Sequence, residues 1–227
     1  MKKLLSILSL AILISSCSET KERISDDMVT IVDDVCYLKA DMSIVTGIVT
    51  EAWEDGQLYS ESNWKDGKKD GLHRKWYEGG RLIYEENYKD GGHDGLAKRW
   101  HSNGQLEEEG NWKDGKLDGL AKQWHSNGQL WTEYNYKDGK KDGLAKTWYE
   151  NGQLRFEANY KDGELDGLSQ WWYVNGQLQL EANFKDGKEG LAKIWYENGQ
   201  LHSESNFKVG KRDGLTKTWD EDGQRIN

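Results

Sequence analysis

The sequence predicts an all-β fold: an elongated array of tandem antiparallel β-hairpins, period 24, forming one continuous twisted sheet. Three observations predict it. Gly47, Gly71, Gly95, Gly119, Gly143 and Gly167 lie 24 residues apart, and Gly190 and Gly214 follow at 23 and 24. A fixed period this short marks a stacked array. Within each period two short runs are separated by glycine-containing turn pairs, and their apolar residues recur every second position rather than every 3.6. There is no proline, as befits interior strands that must all donate N–H groups.

The unit Gly143–Asp166, GLAKTWYENGQLRFEANYKDGELD, shows the logic. Leu144–Tyr149 is the first strand and Gln153–Tyr160 the second. Asn151-Gly152 between them suits a type I′ turn with positive φ at both centres, and Asp-Gly pairs such as Asp138-Gly139 reverse the chain again. Strand alternation puts Leu144, Lys146 and Trp148 on one face and Ala145, Thr147 and Tyr149 on the other. In the second strand Leu154, Phe156, Ala158 and Tyr160 are expected to share a face. Stacked repeats then align Trp76, Trp100, Trp124, Trp148, Trp172, Trp195 and Trp219 in one row. Trp64, Tyr88, Trp112, Tyr136, Tyr160, Phe184 and Phe207 make a second. The sixth unit lacks one residue within Lys185–Glu189, a loop by this reading; a loss inside a strand would flip every later side chain.

Residues 35–227 form the repeat domain, with Val35–Thr46 a worn first strand pair. Charged Asp220–Arg225 falls on what would be an exposed edge. Residues 1–16 stand apart: Lys2-Lys3, the apolar run Leu4–Ile14 and then Ser15-Ser16 have the layout of a signal peptide, too short to span a bilayer. Ile14-Ser15-Ser16-Cys17 resembles the bacterial lipobox, which implies cleavage before Cys17 and lipidation of its sulfur. A simple cleaved signal and an uncleaved anchor are the alternatives. Residues 17–34, polar and acidic, read as a tether. With Cys17 lipidated, Cys36 has no disulfide partner and reads as inert filler rather than a nucleophile. Cleavage takes the formal charge from −9 to −11, which excludes nucleic acid as a partner.

The motif G-L-x-K-x-W-Y-x-N-G-Q-L-x-x-E-x-N-Y-K-D-G-K-x-D resembles the MORN-repeat variant of bacterial proteins of the YwqK type, over residues 37–227. Those proteins are labelled antitoxins of toxin–antitoxin systems. The resemblance implies tandem hairpins in an elongated sheet and, for function, an antitoxin role. A lipobox fits better with an exported partner than with a cytoplasmic one.

Candidate chemistry is sparse. Glu61, Glu85, Glu109, Glu133, Glu157, Glu181 and Glu204 repeat in register, and acid–base catalysis needs carboxylates whose pKa values are pushed apart. A ladder of equivalents gives them like surroundings, so they are read as partners of nearby Lys, Arg or Asn. His101 and His125 sit one repeat apart, and His73, His93 and His202 look scattered; no metal set results. The Lys-Asp-Gly loops resemble calcium loops only in part, since lysines stand among the carboxylates. No cofactor, metal or catalytic residue is expected. The expected function is a non-enzymatic, lipid-anchored envelope protein, on the periplasmic or surface side, that binds a protein partner along its sheet. Its candidate binding face is Trp76, Trp100, Trp124, Trp148, Trp172 and Trp195, though packing is the first use of such a row. An antitoxin or immunity protein acting on a toxin is the second reading. A wall-glycan or choline binder is the third.

Overall fold

A computed structural model of the chain describes residues 23–208 and 210–227. The signal peptide and Cys17 expected from the sequence lie outside the described residues, as do the first residues of the tether. The rest of that tether is not an open linker. β1 (Arg23–Ser25), a single 3-10 turn at Asp26–Met28 and β2 (Val29–Val32) lead into β3 (Val35–Leu38). β2 and β3 pair as a hairpin, and β1 pairs in parallel with β4 (Gly47–Ala52). Ile24, Val29, Cys36, Val45, Val49 and Trp64 bury one another in the best-packed cluster of the molecule. The pattern of isolated apolar residues in a polar stretch hid this cap. It shields the first edge of the sheet, which would otherwise present unpaired N–H and C=O groups. Cys36 is fully buried there, and burial pushes its thiol pKa up.

From Gly47 onward the chain forms an antiparallel meander, in an 18-stranded sheet; Gly92–His93 and Gly95–Trp100 both pair with Leu82–Lys89, and Lys211–Arg212 and Lys217–Thr218 both pair with Leu201–Lys208. Representative strands are Lys140–Trp148, Leu154–Lys161 and Glu164–Trp172. The two turns of each unit divide their work differently from expectation. The Asp-Gly turns are the type I′ ones: Asp162 has φ 53° and Gly163 φ 95°, between the paired Lys161 and Glu164. At Asn151-Gly152 only the glycine has positive φ, 83°. Gly152 N–H donates to Tyr149 C=O at 2.8 Å and Tyr149 N–H to Gln153 C=O at 2.9 Å, a type I turn closed by a glycine bulge. Asparagine is there for its side chain. Oδ1 of Asn198 accepts from Gln200 N–H at 2.9 Å, while Nδ2 reaches the next repeat's Glu221 C=O at 2.9 Å. Asn103, Asn127, Asn151 and Asn175 make the same double contact. Asp55 keeps only the first half, because a carboxylate has no N–H to donate.

A second bulge sits at each marker glycine. Tyr134 pairs with Ala145 and Tyr136 with Lys141, so Asp142 and Gly143 are extra residues on that strand. Gly143 holds φ 103°, and Asn135 Nδ2 satisfies the exposed Leu144 C=O at 2.9 Å. The sixth unit loses its residue at this bulge rather than in the turn. Phe184 pairs with Glu189 and Ala182 with Ala192, one extra residue instead of two, and the faces stay in phase. A bulge can change length without moving the strand beyond it.

The third shift lies beside the tryptophans. Thr147 pairs with Phe156 but Trp148 with Leu154, leaving Arg155 as the extra residue. Leu154 therefore joins the Trp148 face and not that of Phe156, contrary to strict alternation.

Candidate functional site

The registers define two faces. The outer one carries a ladder of alternating charge: Arg74 pairs with Glu85, Lys122 with Glu133 and Lys146 with Glu157, at 2.8, 3.3 and 2.8 Å. Glu109 and Glu204 take Lys98, and Lys193 with Lys217, while Glu61 takes Arg23 and Glu181 accepts from Gln170. All seven repeated glutamates thus have a partner, in near-equivalent surroundings. Such solvated pairs are each worth about 0–1 kcal/mol. The Trp76, Trp100, Trp124, Trp148, Trp172 and Trp195 row flanks this ladder, every member half-buried. On the ladder's other side Leu96, Leu120, Leu168 and Leu191 are 37–42% exposed.

The row also anchors the next repeat. The Tyr149 hydroxyl donates to Trp172 C=O at 2.7 Å, Tyr173 to Trp195 at 2.8 Å and Tyr196 to Trp219 at 3.0 Å. His101 does the same to Trp124 with its Nε2. His125 breaks the series; its Nε2 is buried without a partner.

The inner face has small residues along its midline. Ala145, Ala158, Ser169 and Ala182 are essentially inaccessible because larger side chains on either side close over them. In the early repeats the midline differs. His73 stands beside Ser62 and Glu86 where later units have alanine or serine. Its Nδ1 lies 2.6 Å from Ser62 Oγ and its Nε2 3.0 Å from the Tyr84 hydroxyl. Glu86 Oε2 accepts from the Tyr88 hydroxyl at 2.9 Å and contacts His93 Nε2 at 3.3 Å. His73 and His93, scattered in sequence, are thus joined through Glu86 in one polar cluster. Sequence reasoning missed it, although the departures from alanine at 73 and 86 were the signal. Burial, helped by Lys69, pushes the His73 pKa down to about 4, and burial together with Glu86 holds the Tyr88 phenol up. Ser62 is buried and the His73 imidazole is engaged on both nitrogens. Among the described residues no group of three or more His, Cys, Asp or Glu is placed to share a metal ion. No helix among them is long and apolar enough to cross a membrane.

Further along, the inner face turns aromatic. Phe156 and Trp171 rings lie 4.8 Å apart, and Lys141 Nζ sits 3.6 Å from the Tyr134 ring centroid and 5.2 Å from that of Tyr160. The rings of Tyr134, Phe156, Tyr160 and Trp171, with Trp131 and Arg155, border an open hollow of about 420 Å³.

The class this geometry defines is an open hairpin-repeat protein whose two faces are both accessible along a rigid sheet. The MORN repeat variant matches the chain at residues 45–66, 69–90, 94–114, 117–138, 141–162, 165–186 and 188–208, and the protein belongs to that family. No curated protein is similar enough to be matched to it.

Proposed function

We propose that this MORN-repeat chain is a non-enzymatic envelope protein, anchored by lipid on Cys17, that binds another protein along the outer face of its sheet. The observation that carries it is the single-layer sheet itself. Its half-buried tryptophan row and half-exposed leucine row recur along the hairpins, ~9–10 Å apart, and among the described residues no second layer covers them. A partner with a matching repeat of apolar contacts gains from every unit it spans, while the ion-pair ladder between the rows keeps the face soluble without one. The lipobox-like stretch and the polar residues after it support an envelope location. Affinity recovery from detergent-solubilised envelope should enrich one protein, and Trp124→Ala with Trp148→Ala should abolish its capture. Cys17→Ser should move the protein from the detergent phase to the aqueous one. Recovery of no enriched protein, or capture indifferent to both tryptophans, refutes the reading.

The repeated motif favours an antitoxin role as the second reading. It predicts that deletion of the gene is tolerated only when a specific toxin gene is removed with it, so an unconditional deletion without consequence ends it.

A further inference from the structure

A ring-walled hollow at Trp53, Tyr59 and Tyr84 has Glu78 in its lining; the hollow on the inner face, opposite the proposed protein-binding rows, has no such acid. Its walls are the rings of Trp131, Tyr134, Phe156, Tyr160 and Trp171, and none of its lining residues is acidic. Trp131 is 42% exposed and is not one of the repeating tryptophans; the equivalent bulge position in the next unit holds Arg155. Arg155 is exposed and makes no ion pair or hydrogen bond among the described residues; the Tyr149 ring lies 5.7 Å from its guanidinium carbon. Lys141 is half-buried against Tyr134 and Tyr160, and burial alone pulls its pKa down, with no carboxylate opposing it. Lys69, its equivalent three repeats earlier, also lies over a tyrosine ring but has Glu86 as counter-charge. A cation with no acid beside it, at the rim of an aromatic bowl, is conspicuous in a protein of formal charge −9.

We infer that this hollow is a binding site for a carboxylate carried on an aromatic or bulky aliphatic group, with the apolar part stacked between Trp131 and the Phe156–Trp171 pair and the carboxylate toward Arg155. The aromatic rings bury the ligand's apolar surface, and the guanidinium offers paired N–H donors that a carboxylate accepts. The same chemistry is presented by a free aromatic acid and by the C-terminal residue of a peptide. The inference goes beyond the proposed function, because it concerns the other face and does not need a protein partner on the tryptophan row.

Titration of the purified full chain with 3-phenylpropionate and with 3-phenylpropionamide, followed by tryptophan fluorescence and calorimetry, tests it. The acid is expected to bind at least ten-fold more tightly than the amide. Arg155→Gln should erase that preference with an unchanged unfolding midpoint, since the side chain is exposed. Trp131→Ala should weaken both ligands equally. Acetyl-Gly-Gly-Phe with a free or an amidated terminus distinguishes the sources. Tighter binding of the free-terminus peptide than of 3-phenylpropionate assigns the site to C-termini, and the reverse assigns it to small acids. Equal affinity for acid and amide, or a preference that survives Arg155→Gln, overturns the inference.

Discussion

Lowering the pH should destabilise this protein through His73 in a window that its geometry sets. The imidazole is 7% exposed, held between Ser62 Oγ and the Tyr84 hydroxyl, with Lys69 and Lys75 nearby opposing a positive charge and Glu86 favouring one. The first effect outweighs the last, and the pKa falls from 6.5 to about 4. A base with a folded-state pKa below its unfolded value gives full stability above pH ~6.5, and loses it as the pH drops toward 4, because the unfolded chain takes up the proton first. At about 1.36 kcal/mol per unit, that difference amounts to ~3 kcal/mol. The comparison protein is His73→Ala, which places in this slot the residue that Ala97, Ala121 and Ala145 supply in later repeats. Urea unfolding followed by fluorescence at pH 7.5 and 4.5 should show the wild type losing ~2–3 kcal/mol more than the variant between the two conditions. An imidazole NMR titration supplies an independent reading. A His73 midpoint above 6, or an equal loss of stability in both proteins, would refute the account of the cluster.

Three further outcomes follow from the same geometry. Trp148→Ala should cost about 2 kcal/mol in thermal or chemical unfolding, less than the 3–5 kcal/mol of a fully buried aromatic, because the ring is half-buried; a loss above 4 kcal/mol would place it in a sealed core. Ser169 is wholly inaccessible and its hydroxyl has no partner, so Ser169→Ala, matching Ala145 one repeat earlier, should raise stability by about 1 kcal/mol. A lower melting temperature for that variant would reveal a hydrogen bond that the geometry does not show. Asn198→Asp should keep the turn but lose the 2.9 Å link to Glu221, at about 1 kcal/mol, visible as faster amide exchange in the last hairpin; unchanged exchange would deny the asparagine its inter-repeat role.

Much of the architecture was legible in the chain. Glycine spacing, apolar alternation and absent proline specify tandem hairpins, because each property is local: turn chemistry and strand periodicity are set by residues a few positions apart. The glutamate ladder was legible for the same reason, since a residue repeated at a fixed phase must meet the neighbouring strand at the same height. Other features were not. Asn151-Gly152 looks like a type I′ pair until the bulge beside it is known, and the Leu154 face inverts because Arg155 is extra. Strict alternation cannot foresee a bulge, whose cause is the fit between two paired strands. The cap of Ile24, Val29 and Cys36 escaped notice because its apolar residues are too few to signal a core until they converge on Val49 and Trp64.

The sequence by itself determined the repeat, the hairpin and the rows of like side chains, since these depend on period and local conformation alone. The tertiary structure alone decided which residues meet across repeats. It joined His73 to His93 through Glu86, and it set Arg155 at the rim of an aromatic hollow whose lining holds no acid. Those meetings depend on register summed over several bulged strands. Contacts of that kind are fixed by the packing of the whole sheet, and no single unit contains the information.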